Sequence, residues 1–107
     1  MPTKNPRKVK HKFFAIPTQE DGIRFPSKKE AEYYVQLKRR IDGGGVIFFL
    51  MQVPLHLPGG VKYIVDFLEF HDDGTVHFVD VKGFETKEFK LKKKLVESLY
   101  PITIEVV

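Results

Sequence analysis

Two acids and a base lie close together in an otherwise apolar part of the chain. Asp80 and Lys82 stand two residues apart in FVDVKG, and Asp66 lies in the preceding apolar segment, VKYIVDFLEF. Both segments are typical of strands, so these charges would lie among apolar neighbours. Burying an unpaired carboxylate is costly, and a bound cation would remove that cost. The pattern therefore indicates a site for a hard metal ion.

The turn between the two strands decides whether the two aspartates meet. A three-residue loop, Asp72-Asp73-Gly74, with the glycine in the left-handed conformation, pairs Asp66 directly with Asp80. Lys82 then points to the same face of the sheet. A two-residue loop would instead place Asp66 opposite Val81 and separate the pair. Like charges that face each other across a ladder destabilise it, so the first register favours a bound cation.

A third carboxylate falls on a predicted helix at 26–42, PSKKEAEYYVQLKRRID, which the glycines at 43–45 end. Glu30 lies near the apolar stripe of this helix, and Glu32 points roughly the opposite way. Ser27 and Glu30 also fit a capping box, in which the glutamate bonds back to the N-cap amide. Taken alone this spacing favours the cap, and the two roles can coexist. The stripe consists of Ala31, Tyr34, Leu37 and Ile41.

Three carboxylates and a lysine are suited to phosphodiester hydrolysis. Mg²⁺ prefers oxygen ligands and commonly uses one or two protein carboxylates. Such an ion polarises a phosphate oxygen and makes bound water more acidic, and a lysine can position that water or offset charge on the phosphorane. Taken singly, Asp80 and Lys82 are better explained as a surface pair on an edge strand, and Asp66 as bound to a backbone donor. The metal site gains weight when all four groups are explained together.

The elements that must position these groups alternate between helix and strand. Pro54 is expected to interrupt the first long strand, and Leu91, Leu95 and Leu99 form an apolar stripe on the second helix. The order predicts an α/β fold with a mixed central sheet flanked by helices. We predict a hairpin or extended segment at 12–25, helices at 26–42 and 85–100, and strands at 46–57, 61–70, 75–83 and 102–107.

Length and charge suggest one domain with a polyanionic partner. The 107 residues carry a net charge of +4, and residues 1–12 hold five lysines or arginines without an acid, which predicts a flexible basic arm. A second basic cluster lies on the helix at 85–100. Nucleic acid is the simplest partner for two such stretches, and a solvated tail and helix face are an equally good explanation of charge alone.

Composition limits the compartment and the metal chemistry. The chain has no cysteine, which excludes disulfides and thiolate metal sites and fits a reducing compartment such as the cytoplasm. It has no apolar run of transmembrane length, and its basic start is unlike a secretory signal. A zinc site is not expected, because the histidines show no ligand spacing. These are His11, His56, His71 and His77.

The four groups also occur in a known motif. Asp66 followed by Asp-Val-Lys at 80–82, with a helical glutamate upstream, resembles the PD-(D/E)XK nuclease motif, although Val65 stands where that motif has proline. RFPSKKEAEYYVQLKR, YIVDFLEF and DVKGFETKEFKLKKKL are similar to segments of the small phage-type, endonuclease I-like Holliday-junction resolvases. The resemblance covers roughly residues 20–107. It implies a restriction-endonuclease-like core over residues 13–107 and Mg²⁺-dependent cleavage to a 5′-phosphate and a 3′-hydroxyl, with Mn²⁺ as a possible substitute.

The resemblance also assigns roles to individual residues. Glu30, Asp66 and Asp80 would bind the metal, and Lys82 would be the catalytic lysine beside them. Gln52 resembles a glutamine of that family and could reach the site or the DNA. The resolvases that cut four-way junctions act as homodimers, which would work here in the host-cell cytoplasm. Basic residues expected on the DNA backbone are Lys87, Lys90, Lys93 and Lys94 of the second helix and Lys8, Lys10 and Lys12 of the arm.

Two other functions remain open at this point. One is a nuclease of the same fold that nicks or degrades ordinary duplex DNA, and the other is a DNA-binding module that does not cut. The sequence does not separate a branched from a duplex substrate. The intact set of Glu30, Asp66, Asp80 and Lys82 argues against a pure binder, because carboxylates repel a polyanion. No membrane partner and no small-molecule cofactor are expected.

Overall fold

The computed structural model describes residues 18–107, which form a short hairpin, two α-helices and a four-stranded sheet. The sheet has the order β3-β4-β5-β6, in which β5 and β6 are parallel and the other neighbours are antiparallel. The predicted α/β class with a mixed sheet is therefore confirmed. In chain order the elements are β1 (Thr18–Glu20), β2 (Ile23–Phe25), α1 (Lys28–Asp42), β3 (Val46–Leu57), β4 (Val61–His71), β5 (Val76–Asp80), α2 (Lys87–Leu99) and β6 (Ile104–Val106).

The start of the chain bears on two predictions. The predicted basic arm at 1–12, with Lys8, Lys10 and Lys12, lies outside the described residues, as does the first part of the segment predicted at 12–25. The remainder of that segment is the β1–β2 hairpin, in which Asp21 and Gly22 take the positive φ angles of a tight turn.

Helix α1 follows the apolar spacing of its sequence. The Ser27 hydroxyl accepts a hydrogen bond from the Glu30 amide at 3.1 Å, which caps the first turn. Glu32 is exposed on the opposite side, as predicted. The Gly43 amide donates to the Arg39 carbonyl at 2.9 Å where the helix ends. The side facing the sheet is made of Ala31, Tyr34 and Leu37, which are buried, and Ile41, which is partly buried.

Strand β3 remains paired with β4 at Pro54 and on both sides of it, so the predicted interruption at this residue is wrong. Pro54 is paired with Ile64 in the β3–β4 ladder. Because β3 is an edge strand of the sheet, a residue without an N–H can be placed where no ladder bond is lost.

The turn between β4 and β5 has the three-residue form. The His71 amide donates to the Thr75 carbonyl at 2.9 Å, and Gly74 has φ of 86°. The ladder pairs Phe67 with Val79. Of the two registers that the turn residues allow, this is the one that pairs Asp66 with Asp80.

Helix α2 lies where it was predicted, but its leucine stripe does not face the core. Leu91 is 69% exposed, and Leu95 and Leu99 are also exposed. The helix packs instead through Phe89, whose ring lies 6.2 Å from that of Tyr63, and through the fully buried Val96. Neither helix in the described part of the chain is long and apolar enough to span a membrane.

The two helices pack against different parts of the β3–β4 hairpin. Phe67 packs with the residues of α1, whereas Val65 packs with Val96 of α2. Residues two apart in a regular strand share a face, so the hairpin changes its packing partner between these two positions. Asp66 lies at this point. Opposite it in the register is Gln52, whose φ of 55° interrupts the extended backbone of β3.

Candidate active site

The β4–β5 ladder gives way to side-chain hydrogen bonds at the two aspartates. Beyond the pair of Phe67 and Val79, the Asp66 amide donates to Asp80 Oδ1 at 2.9 Å. The Val81 amide donates to Asp66 Oδ2, also at 2.9 Å. Each aspartate thus satisfies a main-chain amide of the other strand. The structure brings Asp66 and Asp80 together as the register predicted, with backbone donors between their carboxylates.

Tyr63 holds the second oxygen of Asp80. Its hydroxyl donates to Asp80 Oδ2, and both residues are buried. Burial raises the pKa of Tyr63 above its usual range, and this hydrogen bond makes a smaller contribution in the same direction. Strand alternation places Tyr63 on the face opposite to Asp66, so sequence reasoning missed it. The only signal was the phenol itself, since a buried tyrosine hydroxyl usually has a hydrogen-bond partner.

Gln52 links the carboxylates of α1 and β4. Its Nε2 lies 3.3 Å from Glu30 Oε2 and 3.4 Å from Asp66 Oδ1. A non-glycine residue with a φ of 55° is strained by about 1–3 kcal/mol, and such strain persists only where the surroundings fix it. Gln52 therefore belongs to the cluster, and Glu30 presents its carboxylate to it while its amide takes part in the Ser27 cap.

The surroundings of the cluster disfavour the ionised forms of its acids. Glu30 is only 4% exposed, and burial raises its pKa to about 7, with the Asp66 charge adding to the shift and Lys82 opposing it. Burial also raises the pKa of Asp66, an effect that the Val81 amide partly offsets. The hydrogen-bond donors nearest these acids are neutral. Positive charge would therefore stabilise the ionised cluster.

Lys82 lies directly after β5 and next to the cluster. Its Nζ is 4.7 Å from the centre of the Phe89 ring, and its charge lowers the pKa of both Glu30 and Asp66. The alternative of a surface pair on an edge strand is wrong, because β5 lies inside the sheet and Asp80 is 1% exposed.

Lys29 of α1 contacts the main chain at Lys82. Its Nζ donates to the Lys82 carbonyl at 2.9 Å, which joins the first turn of α1 to the end of β5. Sequence reasoning did not anticipate this contact. A lysine at the start of a helix gives no signal of a tertiary partner.

The donor set suits a hard cation. Within residues 18–107, no three His, Cys, Asp or Glu side chains are arranged as a metal-binding group. The carboxylates of Glu30, Asp66 and Asp80 are the ligand type that Mg²⁺ prefers. An ionised carboxylate oxygen has two lone pairs, so an oxygen that accepts a hydrogen bond can also bind a cation.

The lysines predicted to contact DNA differ in their surroundings. Lys93 is partly buried, and its Nζ lies 3.2 Å from Glu97. Glu97 also accepts a hydrogen bond from the Ile104 amide at 2.7 Å, so this pair joins α2 to β6. The other three lysines of α2 are exposed: Lys87, Lys90 and Lys94.

A second buried carboxylate lies elsewhere on β4. Glu69 is 1% exposed and accepts a hydrogen bond from the Tyr33 hydroxyl. Its Oε1 lies 2.9 Å from His71 Nε2 and 3.6 Å from an Arg40 nitrogen. The ring of His71 stacks on that of His77 at 3.9 Å. This cluster ties α1 to the end of the β4–β5 hairpin, and no pattern in the sequence indicated it.

Fold and site together define an α/β protein with a buried carboxylate cluster where two adjacent strands stop pairing. A family model described as protein of unknown function (DUF1064) matches residues 10–105, and the chain belongs to this family. The comparison with curated proteins found no match, and the comparison with solved structures also found none.

Proposed function

We propose that this protein is a Mg²⁺-dependent DNA endonuclease with a restriction-endonuclease-like core. The observation that carries the proposal is the convergence of three buried carboxylates beside one lysine. Glu30, Asp66 and Asp80 come from α1, β4 and β5, and Lys82 affects the pKa of two of them. These are the four residues that the resemblance to PD-(D/E)XK nucleases assigns to catalysis, and the geometry supports the same set.

Each residue of the cluster would have a separate role in hydrolysis. Asp66 and Asp80 would hold the cation, with Tyr63 and the Val81 amide keeping their carboxylates oriented. A bound Mg²⁺ polarises the phosphate and makes its water more acidic. Lys82 offsets negative charge that builds up on the phosphorane. Glu30 would complete the metal site, and a bound cation would favour its ionised form over the protonated form that burial favours.

The proposed substrate is branched DNA, and the proposed reaction is resolution of a four-way junction. Support comes from the similarity of the segments around Glu30, Asp66 and Asp80 to the small Holliday-junction resolvases. Such an enzyme would act as a homodimer, because two opposed strands must be cut. It would leave a 5′-phosphate and a 3′-hydroxyl and would work in the cytoplasm of the host cell.

One observation favours a second candidate, a DNA-binding module that does not cut. Asp66 and Asp80 each accept hydrogen bonds from groups of the protein itself, so these bonds can hold them together without a cation. In this reading the cluster is structural, and the lysines of α2 alone account for DNA binding.

Cleavage of a labelled four-way junction and of a linear duplex of matched sequence tests the proposal. Wild type and Asp80→Asn are assayed with Mg²⁺ and with EDTA, and binding is measured in parallel. We expect metal-dependent cutting of the junction by wild type and none by Asp80→Asn, whose binding remains. Equal cutting of both substrates would indicate a general duplex nuclease. Binding without cutting under any metal would contradict the enzymatic proposal and favour the binding module.

A further inference from the structure

A cleft of about 280 Å³ opens directly beside Asp80. Its walls come from β4, the segment after β5 and the first turns of α2. Three of the lining residues are lysines, one from each wall, whereas none of the exposed lysines predicted on α2 lines it. The three lysines are Lys62, Lys82 and Lys92.

The acids of the cleft leave its lysines able to bind an anion. Asp80 is directed to Tyr63 and the Asp66 amide at the inner end. Glu88 is the other acid, and its side chain is 78% exposed and lies 3.7 Å from Lys92. An exposed pair at this distance contributes little, so a phosphate group can replace the Glu88 carboxylate as the partner of Lys92.

The wall of the cleft also suits the sugar of a nucleotide. Ile64 lines it and is 43% exposed, so an apolar surface lies between Lys62 and the inner acid. The Nζ of Lys82 lies over the Phe89 ring, whereas Lys62 is exposed and Lys92 is partly exposed, with only the exposed Glu88 as its ion-pair partner. The lining thus places apolar surface and ammonium groups next to the carboxylate cluster.

We infer that this cleft binds a backbone phosphate of the cut DNA strand, adjacent to the phosphate that is hydrolysed, through Lys62 and Lys92. The inference rests on the proposed function. A DNA strand carries a phosphate at every nucleotide. A strand whose reacting phosphate lies at Asp66 and Asp80 must therefore place a neighbouring phosphate beside these residues. Lysine binds phosphate as a point charge, so the cleft positions the strand without reading its sequence.

Salt dependence of binding tests the assignment of the two lysines. DNA affinity is measured by fluorescence anisotropy in EDTA over a range of KCl concentrations for Lys62→Gln, Lys92→Gln and the double variant. Each lost phosphate contact should reduce the slope of log affinity against log salt by about 0.7–0.9. The control is Lys38→Gln, which removes an exposed cation of α1 that pairs with Asp21 of the β1–β2 turn, and it should leave the slope unchanged. Thermal melts establish that each variant is folded.

A substrate with single uncharged linkages locates the contact. Methylphosphonate is placed in turn at each phosphate around the cut, and affinity is compared between wild type and the double lysine variant. Wild type should lose affinity when the uncharged linkage stands at one position next to the cut. The double variant already lacks this contact, so the same linkage should cause it no further loss of affinity. Equal losses at that position in both proteins would overturn the inference, as would an unchanged salt slope.

The two proposals fail in different ways. If wild type cuts DNA but the slopes of the lysine variants match that of wild type, only the cleft assignment is wrong. If wild type binds DNA without cutting and the slopes fall, the nuclease proposal fails and the phosphate contact stands. Wild type that neither binds nor cuts DNA would overturn both.

Discussion

Two clusters of buried carboxylates lie on the same strand, and they are balanced in opposite ways. Glu69 is matched by the cations or potential cations of Arg40 and His71 and by the Tyr33 hydroxyl. Asp66, three residues earlier, lies with Glu30 and Asp80 among neutral hydrogen-bond donors, and the nearby Lys82 offsets only part of their charge. The first cluster is electrostatically complete, and the second carries excess negative charge.

This difference in charge balance distinguishes a cluster that stabilises the fold from one that is suited to binding a ligand. A complete cluster stabilises the fold by joining elements, and loss of one partner leaves a buried charge unpaired. An uncompensated cluster costs stability, which shows here as a Glu30 pKa of about 7 and as the left-handed backbone at Gln52. Such a cost is typical of sites that bind a ligand of opposite charge. The Glu69 cluster therefore serves as an internal control for the proposed active site.

The largest expected effect is on catalysis in the second cluster. If the proposed function holds, Asp80→Asn should lower the cleavage rate at least about 1,000-fold, or about 4 kcal/mol of activation free energy, because the amide would remove a charge that holds the proposed cation. Single-turnover cleavage at saturating enzyme measures the loss. Glu69→Gln is the matched control, and its folded fraction should cut at the wild-type rate. If Asp80→Asn cuts as fast as Glu69→Gln, the distinction between the clusters is wrong.

The next largest effect is on stability in the first cluster. Glu69→Gln should lower the free energy of unfolding by about 2–3 kcal/mol, because a neutral amide is a weaker hydrogen-bond acceptor for Tyr33 and His71 than the buried carboxylate. Urea unfolding at pH 7.5 measures the change. A loss below about 1 kcal/mol would show that the Glu69 cluster does not stabilise the fold as described.

Glu30→Gln should act in the opposite direction. The folded-state pKa of Glu30 is raised from 4.5 to about 7, so its contribution to stability is fully present below pH 4.5 and is lost as the pH rises through 7. At pH 8 in EDTA the substitution should therefore raise the free energy of unfolding by about 2–3 kcal/mol. It should also flatten the pH dependence of stability between pH 4.5 and 7. Unfolding curves at pH 4, 6 and 8 test this, and parallel losses in wild type and variant would contradict it.

The smallest effect concerns the backbone at Gln52. Both Gln52→Ala and Gln52→Gly remove the amide that links Glu30 and Asp66, but only glycine accepts a φ of 55° without a steric cost. Gln52→Gly should therefore be more stable than Gln52→Ala by about 1 kcal/mol. The difference between their melting curves is the measurement. An alanine variant as stable as the glycine variant would mean that the strand can relax at this point.

The sequence predicted those features that depend on local periodicity. The turn residues allowed two registers, one of which joins Asp66 to Asp80, and the spacing in α1 placed Glu30 on its inner side. Tyr63 was missed because alternation places it on the face opposite to Asp66, and its contact with Asp80 forms only where the β4–β5 ladder ends. The sequence also did not show which side of α2 packs against the sheet. The exposed stripe beginning at Leu91 has regular spacing, and only the tertiary structure selects Phe89 and Val96.

The central claim is that the uncompensated cluster binds a divalent cation and the Glu69 cluster does not. Titration of the protein with Mn²⁺, followed by paramagnetic broadening of backbone amide signals in NMR spectra, tests it most directly. We predict that the Asp66 and Val81 signals broaden first, that those of Tyr33 and His71 persist, and that Asp80→Asn removes the selective broadening. Broadening that begins at the Glu69 cluster, or that is unchanged in Asp80→Asn, would contradict the account.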